Sequence, residues 1–285
     1  MLKNTKAYYS SAQWLTEHNY ALFPVFCKVV ILNTQTQRME DPMRNQINTE
    51  LASQGYSYVR GADFGVANAS SADFANMADE WNRLEADKYL QDQARFRERR
   101  FGRFAYKPLT NECIQLKHKP YFQAATTNTY AGGIEREVAP LSATFAKNPL
   151  LRELVAQDFD CFPTSKYDPK EWWYVACHLF RIIGRTNETG EPTPEGVHRD
   201  DINYGAMHLM RRTNATGGLS RIHAEDHSIT AELCLQERLD TLFWADEQVL
   251  HSVTPIHPSD IHEPAIRDIL ILGYTYAPTV LNDER

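Results

Sequence analysis

The sequence predicts an α+β fold with a mostly β core, in which helices occupy the front half of the chain and short antiparallel strands the back half. Apolar residues recur at helical spacing in two segments of the front half. After about residue 170, apolar runs alternate with clusters of Gly, Pro, Asn and Asp, a pattern typical of short antiparallel strands. No low-complexity linker separates the two halves. We therefore expect one domain over residues 1–285, with about 1–90 as an N-terminal extension and about 91–285 as the core.

The first predicted helical segment covers residues 71–100. Its apolar side chains fall at i, i+3, i+4, i+7 and i+10, which places them on one face of a helix. These side chains are Phe74, Met77, Ala78, Trp81 and Leu84. Ser70, with Asp73 three residues later, is suited to cap the N-terminus of this helix. A second helix is predicted near 149–158, where Pro149 suits the first turn.

The back half carries the predicted strands. Three apolar, β-rich runs stand out, at 172–183, 229–236 and 269–277. Two segments rich in Pro, Gly, Asp and Thr, 186–196 and 255–264, are predicted loops.

Composition excludes several classes of protein. With 42% hydrophobic and 24% charged residues the chain is an ordinary globular protein. The formal net charge of −7 argues against a nucleic-acid binder or an anionic-membrane binder. No apolar run is long enough for a membrane span, and the N-terminus lacks the apolar core of a signal peptide. Five dispersed cysteines without a C-x-x-C pair are typical of reduced thiols, so we expect a cytoplasmic protein.

The most informative motif is His198-Arg199-Asp200, followed 53 positions later by His251. Residues i and i+2 of a β-strand point to the same face, so His198 and Asp200 would offer an imidazole and a carboxylate side by side. An imidazole from a neighbouring strand, His251, would complete a set of two His and one carboxylate. This set binds one face of Fe(II) and leaves positions open for reactants. We therefore predict a catalytic metal site.

Arg267 opens an apolar strand sixteen positions after His251. A dicarboxylic co-substrate that chelates iron through one end needs a fixed cation for its far carboxylate. The guanidinium of arginine provides a bidentate fork for that group. We therefore predict that Arg267 binds the co-substrate.

A second cluster of potential metal ligands lies in residues 223–227, with two His, one Glu and one Asp. These residues are consecutive and almost entirely polar. We predict an exposed loop or hairpin at this position rather than a rival metal site.

The chain resembles a known family over roughly residues 90–275, with the matching motifs in the correct order. In the back half the resemblance is carried by Pro194-Glu195-Gly196-Val197-His198-Arg199-Asp200, His208-Leu209, Arg212, Asn214 and Gly217-Gly218. In the front half it is carried by the arginine-rich segment 95–104, Pro120-Tyr121-Phe122-Gln123, Asn128, Gly132-Gly133-Ile134-Glu135-Arg136, His178 and Arg181. These motifs resemble the bacterial 2-oxoglutarate/Fe(II) dioxygenases that hydroxylate free L-amino acids, of which the isoleucine dioxygenases are the best known.

The resemblance implies a distorted double-stranded β-helix, a cupin-like jelly roll, with flanking N-terminal helices. It implies Fe(II) at His198, Asp200 and His251, and 2-oxoglutarate held by Arg267. The expected partners are an amino acid substrate and O2, with no nucleic acid and no membrane. At two positions the chain departs from the family pattern: it has Asp201 where Gly is frequent, and Leu219 where Glu is frequent.

An amino acid substrate is a zwitterion, and burying either of its charges unpaired is costly. Candidates for its carboxylate are Arg97, Arg136 and Arg181. Candidates for its amine are Gln123, Asn128, Glu135 and Asp201, and Arg212 is a further residue within predicted reach of the site. For each residue alone, a structural salt bridge or hydrogen bond is the alternative interpretation. The predicted side chain of the substrate is branched aliphatic or cyclic, such as pipecolate or proline.

Two alternatives stay open at this stage. The first is a hydroxylase of a carrier-bound or peptide-bound residue, which would need an open groove rather than a closed pocket. The second is a β-helix protein that binds a metal or small ligand without turnover.

Overall fold

The computed structural model describes residues 42–66 and 70–282. The helices are α1 (Pro42–Gln54), α2 (Ser71–Asp79), α3 (Ala143–Ala146) and α4 (Pro149–Cys161), with 3-10 turns at Glu80–Arg83 and Gln91–Gln93. The strands before α3 are β1 (Tyr56–Val59), β2 (Glu85–Ala86), β3 (Arg97–Lys107) and β4 (Glu112–Gln115). Those after α4 are β5 (Trp173–Gly184), β6 (Tyr204–Thr213), β7 (Ala215–Gly217), β8 (Leu219–His223), β9 (Ile229–Cys234), β10 (Thr241–Ala245), β11 (Leu250–Val253), β12 (Ile256–Pro258) and β13 (Ala265–Tyr276).

The strands form a large main sheet and two small sheets. The main sheet has the order β1-β10-β6-β13-β5-β3-β2, with β4 also paired to β3, and all its pairings are antiparallel. A minor sheet has the order β11-β8-β9, and β12 pairs with β7. The main sheet places the long strands β13, β5 and β3 side by side, and these strands carry most of the charged residues discussed below.

The main sheet buries both of its faces. One face packs against α1, α2 and α4 in the largest hydrophobic cluster, which includes Leu51, Trp81, Leu154, Leu179 and Leu272. The other face packs against the minor sheet, in a cluster that joins Met207, Ile222, Trp244, Val253 and Ile269. Two antiparallel sheets facing each other are what the double-stranded β-helix implied, and the predicted fold class is confirmed.

The predicted helical segment 71–100 is only partly helical. Its start is correct, because Ser70 accepts from the Asp73 amide and the Asp73 carboxylate accepts from the Ser70 amide in a capping box. However, α2 ends at Asp79, and by Arg97 the chain has entered β3. The front half is therefore not mainly helical. The segment was misjudged because its alternating arginines are buried in a strand, where a charged run is not expected.

The other predicted elements agree better with the structure. The second helix forms as α4 with Pro149 at its start, and all three β-rich runs contain strands. The loop 255–264 includes the three-residue strand β12. Residues 224–228 form the turn between β8 and β9, as expected, although His223 itself is buried.

Part of the predicted N-terminal extension, residues 1–41 and 67–69, lies outside the described residues. The described part packs into the fold, since β1 pairs with β10 along Tyr56–Val59. No helix among residues 42–66 and 70–282 is long and apolar enough to cross a membrane.

Candidate active site

The imidazoles of His198 and His251 and the carboxylate of Asp200 meet at one wall of a cavity. One possible ligand atom from each lies within 4.8 Å of the others. Asp200 faces both rings, with Oδ1 3.5 Å from Nε2 of His198 and Oδ2 3.4 Å from Nε2 of His251. The two ring centroids are 4.4 Å apart. The structure therefore brings together all three residues that the sequence predicted as metal ligands.

An isolated antiparallel bridge positions the two histidines. The amide of His198 donates to the carbonyl of His251 at 3.1 Å, and the amide of His251 donates back at 2.9 Å. Residues paired in this way carry their side chains on the same face. The ring of His198 is oriented further, because its Nδ1 donates to the carbonyl of Gly196 at 3.0 Å and leaves Nε2 facing Asp200. Nδ1 of His251 is buried without a hydrogen-bond partner.

Asp246 holds the backbone that carries Asp200. Its carboxylate accepts from the amide of Asp200 at 3.0 and 3.1 Å and from the amide of Ile202 at 3.3 Å. It also accepts from the indole N–H of Trp244 at 3.2 Å. Burial, and then the nearby negative charge of Asp200, raise the pKa of Asp246. This buried carboxyl group was not identified from the sequence, because nothing in its local pattern distinguishes it from a turn residue.

The local field at this site favours a positive charge. Burial alone would lower the pKa of His198, but hydrogen bonding to Asp200 and the carboxylates of Asp200 and Glu195 raise it to about 9. Burial alone would raise the pKa of Asp200, but the two histidines hold it well below the usual range. A cation between these groups satisfies the same carboxylate field.

A second feature of the site is a pair of arginines, one in the cavity wall and one behind it, that have no acidic partner among residues 42–66 and 70–282. Arg267 on β13 is opposite Arg212 on β6 in the register, and Arg267 is fully buried. Within the described part of the chain, Nε and Nη1 of Arg267 have no hydrogen-bond partner, and neither has Nη1 of Arg212. Burial, and then the charge of Arg212, lower the pKa of Arg267 to about 10. Two like charges opposite each other across strands are unfavourable by themselves, so this pair is suited to bind an anion.

Gly218, which lies beside this pair, leaves room for the two arginine side chains because it has no side chain of its own. Gly218 has a φ of +66°, and a Cβ at that position would lie 3.0 Å from Nη1 of Arg212 and 3.4 Å from Cδ of Arg267. Ser220, two residues later on β8, lines the cavity with a buried hydroxyl that has no partner. A side chain at 218 would therefore crowd the guanidiniums.

The cavity has a volume of about 490 Å³ and lies between the main and minor sheets. Alternate residues of the long strands face it, as expected of a strand with a period of two. From β13 these are Arg267, Ile269, Ile271, Gly273 and Thr275; from β5, Tyr174, Ala176, His178, Phe180 and Ile182; and from β3, Arg97, Arg99, Phe101 and Arg103. The wall near the histidines adds Ile202, Leu242 and Trp244.

A third charged feature of the cavity lies on β3 and on the segment 120–136. Arg97, Arg99 and Arg136 are all nearly fully buried, and the buried carboxylate beside them is Asp87. Asp87 accepts from Nε of Arg97 at 2.9 Å, and its pKa is lowered because these arginines outweigh the effect of burial. Arg136 donates to the side-chain oxygen of Gln123 at 2.7 Å.

The eight residues predicted for the substrate divide into three groups. Arg97, Gln123, Asn128, Arg136 and Asp201 line the cavity. Arg212 lies behind the wall, beside Arg267. Glu135 and Arg181 are placed away from the cavity, and the expectation for them is corrected. Glu135 is exposed, and Arg181 points to the opposite face of β5, where it forms a two-bonded pair with Asp268 at 2.7 and 3.0 Å.

Several cavity residues were missed in the sequence. His178 lies between Cys177 and Leu179 on β5, and this alternation was a usable signal for it. Arg99 lies between Glu98 and Arg100 on β3, where no such alternation exists. Glu195 lines the cavity with Oε1 3.5 Å from Nε2 of His198, and its place in the motif before His198 was a usable signal.

Comparisons with known proteins agree with this geometry. The 2OG-Fe dioxygenase family profile matches residues 78–273. The L-isoleucine-4-hydroxylase of Bacillus thuringiensis is 28% identical over 198 residues, which are 69% of this chain and 80% of that protein. The 3(1)-hydroxy-L-isoleucine 4-dioxygenase of Pantoea ananatis is 28% identical over 236 residues, which are 79% of this chain and 94% of that protein.

A solved structure is similar as well. The crystal structure of a bsmA homolog from Methylobium petroleophilum PM1 superposes with a TM-score of 0.74 at 29% identity, covering 82% of this chain and 95% of that one. The family profile covers more than half of the present chain, and Fe(II) and 2-oxoglutarate are the cofactors that its members use. The chain belongs to the 2OG-Fe dioxygenase family.

Proposed function

We propose that the protein hydroxylates a free L-amino acid with a branched aliphatic or cyclic side chain, such as proline or pipecolate, using Fe(II) and 2-oxoglutarate. The observation that carries the proposal is one cavity lined by the His198, Asp200 and His251 cluster, by Arg267 and by an apolar wall. Each part supports a separate component of the reaction.

His198, Asp200 and His251 would hold Fe(II). Nδ1 of His198 donates to a carbonyl, so Nε2 is the nitrogen that would bind Fe(II), with the metal taking the place of the proton favoured there by the raised pKa. Each imidazole already faces one oxygen of Asp200. Two imidazole nitrogens and one carboxylate suit non-haem Fe(II) and leave positions free for reactants. When bound, Fe(II) and 2-oxoglutarate supply the coupled chemistry: one oxygen atom of O2 enters a substrate C–H bond, the other enters succinate, and CO2 is released.

Arg267 would hold the far carboxylate of 2-oxoglutarate. Its guanidinium is buried with two unpartnered nitrogen positions, and Arg212 and Ser220 add further donors beside it. A buried cation without an acidic partner is strongly destabilised unless an anion joins it. The carboxylate of the co-substrate would remove this penalty and gain charge-assisted hydrogen bonds.

The substrate class is inferred from the cavity wall and from the relatives. Apolar residues occupy the wall near the metal cluster, among them Ile202, Trp244 and Ile271. Such a wall suits an aliphatic side chain better than a polar one. Both amino acid hydroxylases reported above act on isoleucine or a hydroxyisoleucine according to their names.

The proposal is tested by incubating the protein with Fe(II), ascorbate, 2-oxoglutarate and single L-amino or cyclic imino acids in air. We expect a product with the mass of one added oxygen atom and an equal amount of succinate from at least one branched or cyclic substrate. Asp200→Ala should give neither. Asp63→Ala, which removes an exposed carboxylate, should behave as the unmodified protein.

Three outcomes are informative. Product formation by a folded Asp200→Ala variant would remove Asp200 from the ligand set. Tight binding of Fe(II) and 2-oxoglutarate without a product from any free amino acid would reject the free-amino-acid substrate. Failure to bind either cofactor would reject the proposed roles of the metal cluster and of Arg267.

A further inference from the structure

The part of the cavity around Asp87 contains three buried arginines, Arg97, Arg99 and Arg136, and Asp87 is the only acid within ion-pair distance of any of them in residues 42–66 and 70–282. Asp87 binds Arg97 closely, with its Oδ2 2.9 Å from Nε and 2.8 Å from Nη2, whereas Arg99 is 3.5 Å from the same oxygen. Arg136 is 2% exposed and has no ion pair with any acid in residues 42–66 or 70–282. Arg99 and Arg136 thus lack a carboxylate of their own, which is costly for buried guanidiniums.

The ring of Tyr121 contacts the guanidinium groups of both Arg99 and Arg136. The guanidinium carbon of Arg136 lies 4.8 Å from the centroid of the Tyr121 ring, and that of Arg99 lies 5.5 Å from it. Both distances fall within the range of a cation–π contact. Nε of each arginine is buried without a hydrogen-bond partner. The two cations are therefore held at one aromatic ring with hydrogen-bonding capacity left over.

His178 adds a neutral donor at the same place. Its ring lies edge-on to Tyr121 at 4.7 Å, and its Nδ1 is 3.2 Å from Nη2 of Arg99. Arginine can only donate, so Nδ1 must accept and the ring proton must be on Nε2. Burial, and then the Arg99 charge, hold the pKa of His178 well below its ordinary value, so the ring is neutral. His178 lines the cavity, and its N–H is available to an anion there.

We propose that Arg99, Arg136 and His178 form a carboxylate subsite, distinct from the Arg267 site, that binds the carboxylate of the substrate. This rests on the proposed function and narrows it: the substrate must carry a free carboxylate. An amide, an ester or a carrier thioester presents a neutral carbonyl in its place and leaves two buried cations unpaired. The subsite therefore selects free acids over carrier-bound residues and over residues inside a peptide.

The test measures binding without oxygen, so that no turnover is needed. L-Isoleucine and L-isoleucinamide are titrated by calorimetry into the anaerobic protein loaded with Fe(II) and 2-oxoglutarate. The unmodified protein should bind the acid about 10- to 100-fold more tightly than the amide, as expected for hydrogen bonds to charged groups. Arg136→Gln should abolish most of this preference by weakening the acid alone. The affinity for 2-oxoglutarate should not change.

Two further variants guard against misfolding and identify the donors. Arg136→Lys keeps the charge but loses the fork, and should retain part of the preference. His178→Phe, in a ring stack with Phe101 and Phe180, should reduce the preference by about 3- to 10-fold, the range of a neutral hydrogen bond. Arg211→Gln removes an exposed arginine on β6 and should leave both affinities unchanged.

Binding of acid and amide with equal affinity, or of neither, would overturn the subsite. So would an Arg136→Gln variant that loses both ligands equally while remaining folded. The proposed function fails differently: a protein that prefers the acid over the amide but hydroxylates no amino acid would keep the subsite and lose the activity.

Discussion

At the scale of single residues, Arg267 carries a charge that its surroundings in the described part of the chain do not balance. It is fully buried, its Nη2 donates to Sδ of Met207 at 3.6 Å, and its cross-strand neighbour Arg212 repels it. Neither packing nor pairing within the described part of the chain accounts for a cation in this position. The arrangement is stabilised only when an anion joins the two arginines.

Arg267→Gln is therefore expected to act on 2-oxoglutarate. We expect the KM for 2-oxoglutarate to rise by about 10- to 100-fold, since a hydrogen-bonded charged pair contributes about 1.5–3 kcal/mol. The KM for the amino acid should change little. Steady-state kinetics with each ligand varied in turn measures both, with Arg211→Gln as the surface control. An unchanged KM for 2-oxoglutarate in a folded variant would exclude Arg267 as its partner.

Asp246 does not belong to the predicted metal ligands His198, Asp200 and His251, but it contacts the backbone amides of Asp200 and Ile202. In Asp246→Asn one of the two acceptor oxygens is replaced by an NH2 group, which cannot accept from these backbone N–H groups. Asp200 should therefore be held less firmly. We expect the affinity for Fe(II) to fall by about 10- to 100-fold, the usual effect of disturbing a residue that orients a metal ligand. Anaerobic Fe(II) titration is the measurement.

The matched control for Asp246 is Asp240→Asn. Asp240 is also a buried aspartate that accepts from backbone amides, those of Gly61, Gln236 and Glu237. Loss of stability should be similar in both variants, but only Asp246→Asn should weaken Fe(II) binding. Equal Fe(II) affinities in the two variants would mean that Asp246 has only a structural role.

At the scale of elements, the segment 121–136 forms a wall that closes one side of the cavity. Its ends are joined by two backbone hydrogen bonds between Tyr121 and Arg136, each of 2.9 Å. Its middle is tied to the metal side by a hydrogen bond from the Thr127 hydroxyl to the Asp201 carboxylate. Asp201 has a φ of +59°, a region that favours glycine, so the carboxylate is kept there at a conformational cost.

Asp201→Gly should relax the backbone and release this wall. We expect unchanged or slightly higher stability, because glycine suits the positive φ, together with a higher KM for the amino acid. More succinate should form per hydroxylated product, since water and O2 reach the site before the substrate is enclosed. Measurement of both products gives this ratio. Thr127→Val should have the same effect, and Asp201→Asn, which keeps an acceptor, should have less.

The three variants also separate two roles of Asp201. If the carboxylate contacts the substrate amine directly, Asp201→Gly should raise the KM while Thr127→Val has no effect. If it only anchors the segment 121–136, the double variant should behave like either single variant.

The elements also show what the sequence could reveal. The helix α4 was predictable because its apolar residues follow the helical period. Strands β5 and β13 were predictable because they are apolar, β-rich runs bounded by turn residues. The proximity of His198, Asp200 and His251 was predictable because the motif His198-Arg199-Asp200 contains two of these residues and needs only one more histidine to complete the set. Strand β3 was not predictable, because its cavity-facing arginines make it appear solvent-exposed. Arg99 was missed for the same reason, because its burial depends on partners from other strands that the local pattern of β3 does not show.

At the scale of the molecule, the main sheet separates two different interiors. Along β13, Leu270, Leu272 and Tyr274 face the helices, whereas Arg267 and Ile269 face the cavity. The helical side is mostly apolar, and its burial contributes most to the stability of the fold. The cavity side contains the unpaired cation Arg267 and the group His198, Asp200 and His251. These buried polar groups lower the stability of the fold when no ligand is bound. Ligand binding should accordingly raise the stability of the whole protein.

One polar network crosses the helical side and joins α4 to the sheet. Asp158 on α4 lies with Oδ2 2.9 Å from Nε2 of His208 on β6, and Nδ1 of His208 donates to Oγ1 of Thr241 at 2.8 Å. Tyr274 donates to the carbonyl of Val155 and approaches Asp158 at 3.4 Å. Oδ1 of Asp158 is buried without a partner. Removing the carboxyl group as Asp158→Ala should cost about 3–5 kcal/mol, because His208 is left buried and unpaired.

The pH dependence of stability distinguishes this network from ordinary packing. Burial raises the pKa of Asp158 above its ordinary value of 3.8, although His208 and Tyr274 act in the opposite direction. The folded state therefore binds the Asp158 proton more tightly than the unfolded state does. The resulting stability is fully present below pH 3.8 and is lost as the pH rises through the folded-state pKa.

Asp158→Asn tests this argument, because it keeps a group that can form a hydrogen bond with His208 but has no such proton. The free energy of unfolding of Asp158→Asn minus that of the unmodified protein should therefore increase as the pH rises from about 4 to about 8, because only the unmodified protein loses stability from this group. Urea unfolding of both proteins across this range measures the difference, in which the other titrating groups cancel. A difference independent of pH would show that Asp158 has the same pKa in both states and that the network acts only through its hydrogen bonds.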